Sequence, residues 1–184
     1  MSTTSRSLAK SAAYGAGAGV VASVVMAMYA MFAAWSKGEG FFTPLYHIAS
    51  LWAPEDAMMT SMQDAMHGTD FHFVFGTAIL GALIHMMTGA TYGAIFGVIA
   101  SRLTLGAAVL AGVGLVYGFL VFLFSAYVGL PIAAAIFDSG DPIKNMAEMA
   151  GWGTFIIEHL LYGLTLGVLV AVTRTRTALA PAHA

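Results

Sequence analysis

The chain has 184 residues and a net charge of -2, with 59% hydrophobic and 9% charged residues. Soluble domains carry roughly a quarter charged residues, so a water-facing globule of this size is excluded and a bilayer is the expected solvent. The absence of cysteine removes disulfides, thiolate metal sites and thiol nucleophiles, and without a basic stripe nucleic acid is removed as a partner.

From the N-terminus, Arg6 and Lys10 precede a first apolar stretch over 11–35. A secretory signal also begins with basic residues, but its apolar run spans only about 7 to 15 residues. This run is longer, so an uncleaved helix is expected. In the loop 36–70, the segment from Pro54 to Met66 sets Met58, Met62 and Ala65/Met66 opposite Glu55, Asp56, Gln63 and Asp64. That pattern is a short amphipathic helix, and its acidic polar face suits a cap on the bundle better than a grip on anionic lipid. Met58, Met62 and Met66, with His67 and His72, also form a thioether and imidazole set of the kind monovalent copper takes. Methionine is equally a filler of irregular apolar gaps.

The second stretch, 71–100, places Gly81, His85, Gly89, Gly93 and Gly97 four residues apart, one continuous ridge on a helix. A short turn holding Arg102 leads to the third stretch, 103–130, with Gly114 and Gly118. Loop 131–151 follows, where Asp141-Pro142 reads as N-cap and first residue of another short helix. The fourth stretch, 152–173, carries Glu158, His159, Gly163 and Gly167 before Arg174 and Arg176. Each stretch reaches the roughly 20 residues needed to cross a bilayer, and none shows the alternation of a barrel strand. The expected fold is all-α: one membrane domain over 1–184 with four transmembrane helices. Small ridges replace the missing hydrophobic drive between helices in lipid, so the glycines are expected to pack inward, with Ser23, Thr88, Thr91 and Thr165 free to bond between helices.

Basic residues set orientation. Arg6, Lys10, Arg102, Arg174 and Arg176 fall on one side, against Lys37 and Lys144 on the other with most of the acids. Both termini are therefore expected in the cytoplasm. The halves also match one another. Ala12-Ala13, Ala16, Gly17 and Gly19 correspond to Ala107-Ala108, Ala111, Gly112 and Gly114, and both His85 and His159 begin a His-x3-Gly-x3-Gly run. Pro54 to Met58 and Pro142 to Met146 repeat a Pro-x3-Met spacing in the two outer loops. The expected unit is helix, outer loop with a short amphipathic helix, helix, present twice in the same orientation.

Ionisable groups inside a span are costly and point to function. His85 and His159 lie at matching heights, about 22 to 26 Å from the cytoplasmic end of their helices, with glycine one turn away. Two such imidazoles could hold a b-type haem by both axial positions; the plainer reading is a pair of uncharged histidines bonded within the bundle. Glu158 is an intramembrane acid that would suit proton or cation passage, or would pair with a hydroxyl or a loop cation. No nucleophile elbow, phosphate loop or two-histidine zinc motif is present, and His47, His67, Asp70 and His72 make no hydrolytic constellation.

The order of features from Ile79 to Gly163 resembles the YagU-like family of bacterial inner-membrane proteins: "LIHMMTGATYGAIFGVIASRL", a basic turn, "AAVLAGVGLVYGFLVFLFSAYVGLP", then "IIEHLLYG". The resemblance implies an inner-membrane location and supplies no site residues. The residues themselves point first to a structural or accessory membrane subunit whose partners are the bilayer and other helices or a second copy of itself. The haem-binding electron carrier and the proton, ion or copper handler are the alternatives. The orientation is checked by reporter fusions, expected to read cytoplasmic after Arg102 and Arg176 and external at Gly68 and Asp141; a cytoplasmic Gly68 overturns it.

Overall fold

In a bilayer every backbone polar group must be satisfied within the chain, so long apolar stretches close their hydrogen bonds as helices. The computed structural model describes residues 3–179, with side chains over 7–173. Arg6, Arg174 and Arg176 of the orientation argument lie outside the described side chains. In chain order the elements are α1 (Thr3–Ser36), α2 (Thr43–Ala49), α3 (Asp56–Met66), α4 (Phe75–Ala100), α5 (Ala107–Phe124), a π turn (Ser125–Gly129), α6 (Leu130–Phe137), α7 (Gly140–Lys144), α8 (Met146–Met149) and α9 (Trp152–Leu179). Among the described residues every regular element is helical. Four helices are long and apolar enough to cross a membrane: Ser7–Ser36, Phe75–Ala100, Ala107–Phe137 and Trp152–Thr173.

The helix boundaries depart from the sequence expectation where side chains intervene. The second span starts at Phe75 instead of residue 71, because Tyr46 of α2 pins the preceding extended stretch, donating to His72 O (2.8 Å) and accepting from Val74 N–H (2.8 Å). The third starts at Ala107 instead of 103 and runs past 130 to Phe137. Pro131 has no N–H to give the Tyr127 carbonyl, and its ring crowds that group. The chain answers with the π turn, in which Leu130 N–H reaches back five residues to Ser125 O. The second loop then holds two short helices: α7 begins at Gly140 with Ser139 at its N-cap, and Asn145 separates it from α8.

Backbone contact sets the packing. α1 lies along α4 and α5 along α9, while α1 and α9 join the two pairs. A Cβ added at Gly19 would lie 2.9 Å from Gly93 Cα, and one at Gly15 2.8 Å from Gly97 Cα. In the other pair a Cβ at Gly114 would lie 2.8 Å from Gly167 Cα, and one at Gly118 2.9 Å from Gly163 Cα. These are closer than carbon atoms approach at rest, so only glycine fits. Gly81, at the far end of the α4 ridge, faces the Leu45 carbonyl of α2 and not α1. Across the joint, Ala18, Ala22, Met26, Phe96, Leu110, Tyr162, Leu166 and Val170 form the main core.

The hydroxyls behave differently from expectation. Ser23, Thr88 and Thr91 bond to carbonyls of their own helices, at Val20, Ile84 and Met87, because a carbonyl one turn back is the nearest acceptor in an apolar surrounding. Tyrosines cross the joint instead. Tyr117 donates to Tyr92 O (2.8 Å) and Tyr162 to Gly89 O (2.7 Å).

At the α2/α3 end, loops tie the pairs together. Lys37 Nζ donates to Ala150 O (2.7 Å) and Thr154 Oγ1 (2.8 Å), and His47 Nε2 bonds Pro142 O (2.7 Å). Gly40, at φ +87°, sits where a Cβ would lie 2.7 Å from Ser61 Oγ, so the bond from Thr43 to Ser61 that holds α2 against α3 depends on it. Trp35, Phe71, Phe73, Phe75, Trp52 and Trp152 are exposed at this end, as aromatic side chains are at a membrane interface.

Gly93→Ala is expected to push α1 and α4 apart and cost about 1–3 kcal/mol. Gly112→Ala, where a Cβ meets nothing within 4 Å, should be neutral or gain up to about 1 kcal/mol. Thermal unfolding in mild detergent measures both, and equal effects would refute the ridge as the packing device.

Candidate functional site

His85 is held by the α4 ridge and His159 by α9, and the fold brings both to one cavity of about 210 Å³. Ser23 and Met26 of α1 line it, with Thr88 and Tyr92 of α4, Phe155 and Tyr162 of α9, and the wall from Ser125 to Ala133. Ile48 and Leu51 beside α2, Ile143 of α7 and Met146 of α8 cover its end. The π turn shapes the remaining wall. α4 meets α5 through the Phe96–Tyr117 and Tyr92–Phe124 ring contacts.

Each histidine is engaged on one nitrogen. His159 Nδ1 lies 2.8 Å from Phe155 O one turn back, which makes Nδ1 the N–H and leaves Nε2 as the free acceptor. His85 Nε2 lies 3.0 Å from Ser23 O across to α1, which leaves Nδ1 free. His159 is only 5% exposed and also packs against the Phe155 ring at 4.5 Å between centroids. A haem would need His85 to turn or to bind through Nδ1. The cavity is also smaller than the roughly 300–1,000 Å³ of ordinary ligand sites, so a macrocycle requires the helices to part.

Glu158 is 6% exposed and lines the same cavity. Neighbouring positions on a helix differ by about 100°, yet the cavity wraps far enough around α9 to receive both Glu158 and His159. Among the described residues no hydrogen bond or ion pair holds the Glu158 carboxyl. A second, smaller cavity of about 80 Å³ meets the first at His85 and Glu158 and leads toward Lys37, Glu39 and His47. Lys37 stands one helical turn above Glu158, on Thr154, with its ammonium spent on Thr154 and Ala150. At the mouth, burial pushes the Glu39 carboxyl above the usual carboxylate range against the pull of Lys37.

The soft-metal set is spread apart. Met58 is 1% exposed, under Tyr46 and Ala78, and Met62 reaches the smaller cavity. Met66 is 75% exposed, His67 is exposed, and His72 Nδ1 pairs with Asp64 Oδ2 at 2.8 Å. Among the described residues no group of three or more His, Asp or Glu side chains could hold a metal ion.

Sequence reasoning missed Tyr92, Tyr162 and Ser125, three of the polar members of the cavity. A signal existed: a tyrosine in an apolar span must find a partner for its hydroxyl. Comparison with family models, with curated proteins and with solved structures finds no match to this chain.

His47 supplies a pH dependence. Burial holds its imidazole below the ordinary value of 6.5, while the Pro142 carbonyl pulls the other way. The folded value is the depressed one, so the stability His47 contributes is complete above pH 6.5 and is lost as pH falls from there through the folded value. The unfolded chain takes the proton first in that window. Wild-type protein should lose stability below pH 6.5 at no more than about 1.4 kcal/mol per pH unit from this group, and His47→Gln should remove that component. Melting curves between pH 7.5 and 5 test it; an unchanged slope in the variant refutes it.

Proposed function

We propose that this chain is a four-pass protein of the bacterial inner membrane, both termini cytoplasmic, that acts as a non-catalytic membrane subunit by holding a small lipophilic molecule inside the bilayer. The observation that carries the reading is the cavity itself: an apolar chamber within the membrane-crossing part on which Glu158, His85 and His159 converge. Such a chamber, apolar with a few placed polar groups, is the usual form of a small-molecule site. The orientation rests on the basic residues, and it puts the α2/α3 end outside. The location agrees with what the YagU-like resemblance implies.

A duplication underlies this architecture. Its support is that the residues paired by sequence also make matching contacts: Gly19 against Gly89 in one half, Gly114 against Gly163 in the other. Ser23 against His85 then corresponds to Gly118 against His159. The copies have diverged at the loops, where α2 has no counterpart of equal length. Exposed apolar faces on α4, α5 and α6, including Met87, Val116, Leu120 and Ile136, meet lipid or partner helices.

The test is to purify the protein in mild detergent, record its visible spectrum and extract bound organic molecules for mass spectrometry. One lipophile is expected at near-stoichiometric amount in wild-type protein and at least tenfold less in Ala133→Trp, whose ring fills the chamber. A sharp haem absorption band would favour the haem reading of His85 and His159 instead. Equal recovery from both proteins would defeat the chamber as the site.

A further inference from the structure

We propose that the chamber is a site for a small hydrophobic monocation, with Glu158 as its counter-charge. The inference deepens the reading of the chamber as a lipophile site and rests on it.

Charge complementarity commits the occupant. Glu158 is the one formally charged side chain among the residues lining the larger cavity; no Lys or Arg lines it. The carboxyl is more than nine-tenths buried and has no hydrogen bond or ion pair among the described residues. An isolated carboxylate in apolar surroundings is costly, and a cation that enters beside it removes that cost. Lys37 is the nearest candidate from the chain, but Ala150 O and Thr154 Oγ1 hold its ammonium one turn away. Tyr92, Phe155 and Tyr162 line the same cavity as the carboxyl, and aromatic rings favour a weakly hydrated cation. Met26 and Met146 add soft, adaptable walls.

Size agrees. A volume of about 210 Å³ suits one ring with a small quaternary ammonium and excludes a two-chain lipid. The floor is closed by Tyr162, bonded to Gly89 O, and the lid by Ile48, Leu51, Ile143 and Met146. His85 Nδ1 and His159 Nε2 are the unengaged ring nitrogens of the site.

Benzyltrimethylammonium and its neutral isostere neopentylbenzene separate charge from shape. With wild-type protein in nanodiscs, tritiated benzyltrimethylammonium should bind saturably, and unlabelled cation should displace it at least tenfold better than neopentylbenzene does. Glu158→Gln should weaken the cation at least tenfold, while neopentylbenzene still raises its melting temperature as in wild type, which reports an intact chamber. Ala133→Trp should abolish both. Equal affinity of the two probes for wild type, or unchanged cation binding in Glu158→Gln, overturns the cation site and leaves the lipophile reading standing. If neither probe binds or stabilises wild-type protein, the lipophile reading fails with it.

Discussion

Everything in this fold follows from how closely two pairs of helices can approach. Lipid is as apolar as leucine, so burying side chains between helices gains little in a bilayer, and cohesion must come from backbone contact and dispersion. Gly15, Gly19, Gly93 and Gly97 let α1 and α4 touch main chain to main chain, and Gly114, Gly118, Gly163 and Gly167 do the same for α5 and α9. The contact also decides where the bundle opens. Following each ridge away from the turn at Arg102, glycine gives way to histidine, at His85 on α4 and at His159 on α9. An imidazole cannot lie where a glycine lay, and both histidines line the chamber.

The two zipped pairs need a second kind of bond to become one body. Small residues serve within a pair, whereas the joint uses large side chains with polar tips: Tyr117 and Tyr162 each reach a carbonyl of α4. A carbonyl already bonded in its helix still has a lone pair to accept, so these contacts cost the helix nothing. Lys37 and His47 repeat the device with loop carbonyls near the interface. The joint therefore holds at both levels, and Pro131 forces the π turn that leads into α6.

The spans and the ridges were legible because both are periodic. A run of apolar residues announces a crossing helix, and a four-residue glycine spacing announces a face. Helix ends were less legible, since Phe71 to Val74 are as apolar as the helix they precede, and only the Tyr46 hydroxyl, distant in sequence, explains why they stay extended. α2 was missed for a related reason: Thr43–Ala49 is too short to show a period. Of the cavity, the histidines and Glu158 stood out as charges in apolar helices. That they share one chamber depends on rotations about the helix axes, which the ridges fix in space but spacing along the chain does not reveal. Spacing also did not reveal burial along α3, where Met58 turns into the core and Met66 into the open.

The placement of Lys37 carries the last step. A cation one turn above a buried acid would ordinarily swing down and neutralise it, since an ion pair out of water outweighs a bond to a neutral carbonyl when the geometry permits. Here the ammonium instead satisfies the Ala150 carbonyl, at the end of α8 where the helix leaves it unbonded, and donates a second bond to Thr154 Oγ1. Moving Lys37 to Glu158 would strip that terminal carbonyl of its partner and draw a strongly hydrated ammonium further from the surface. The loop that ties the two helix pairs together is thus the same feature that holds Lys37 short of a contact ion pair with Glu158. Cohesion at the interface and an open anionic group in the chamber are two results of one lysine's position.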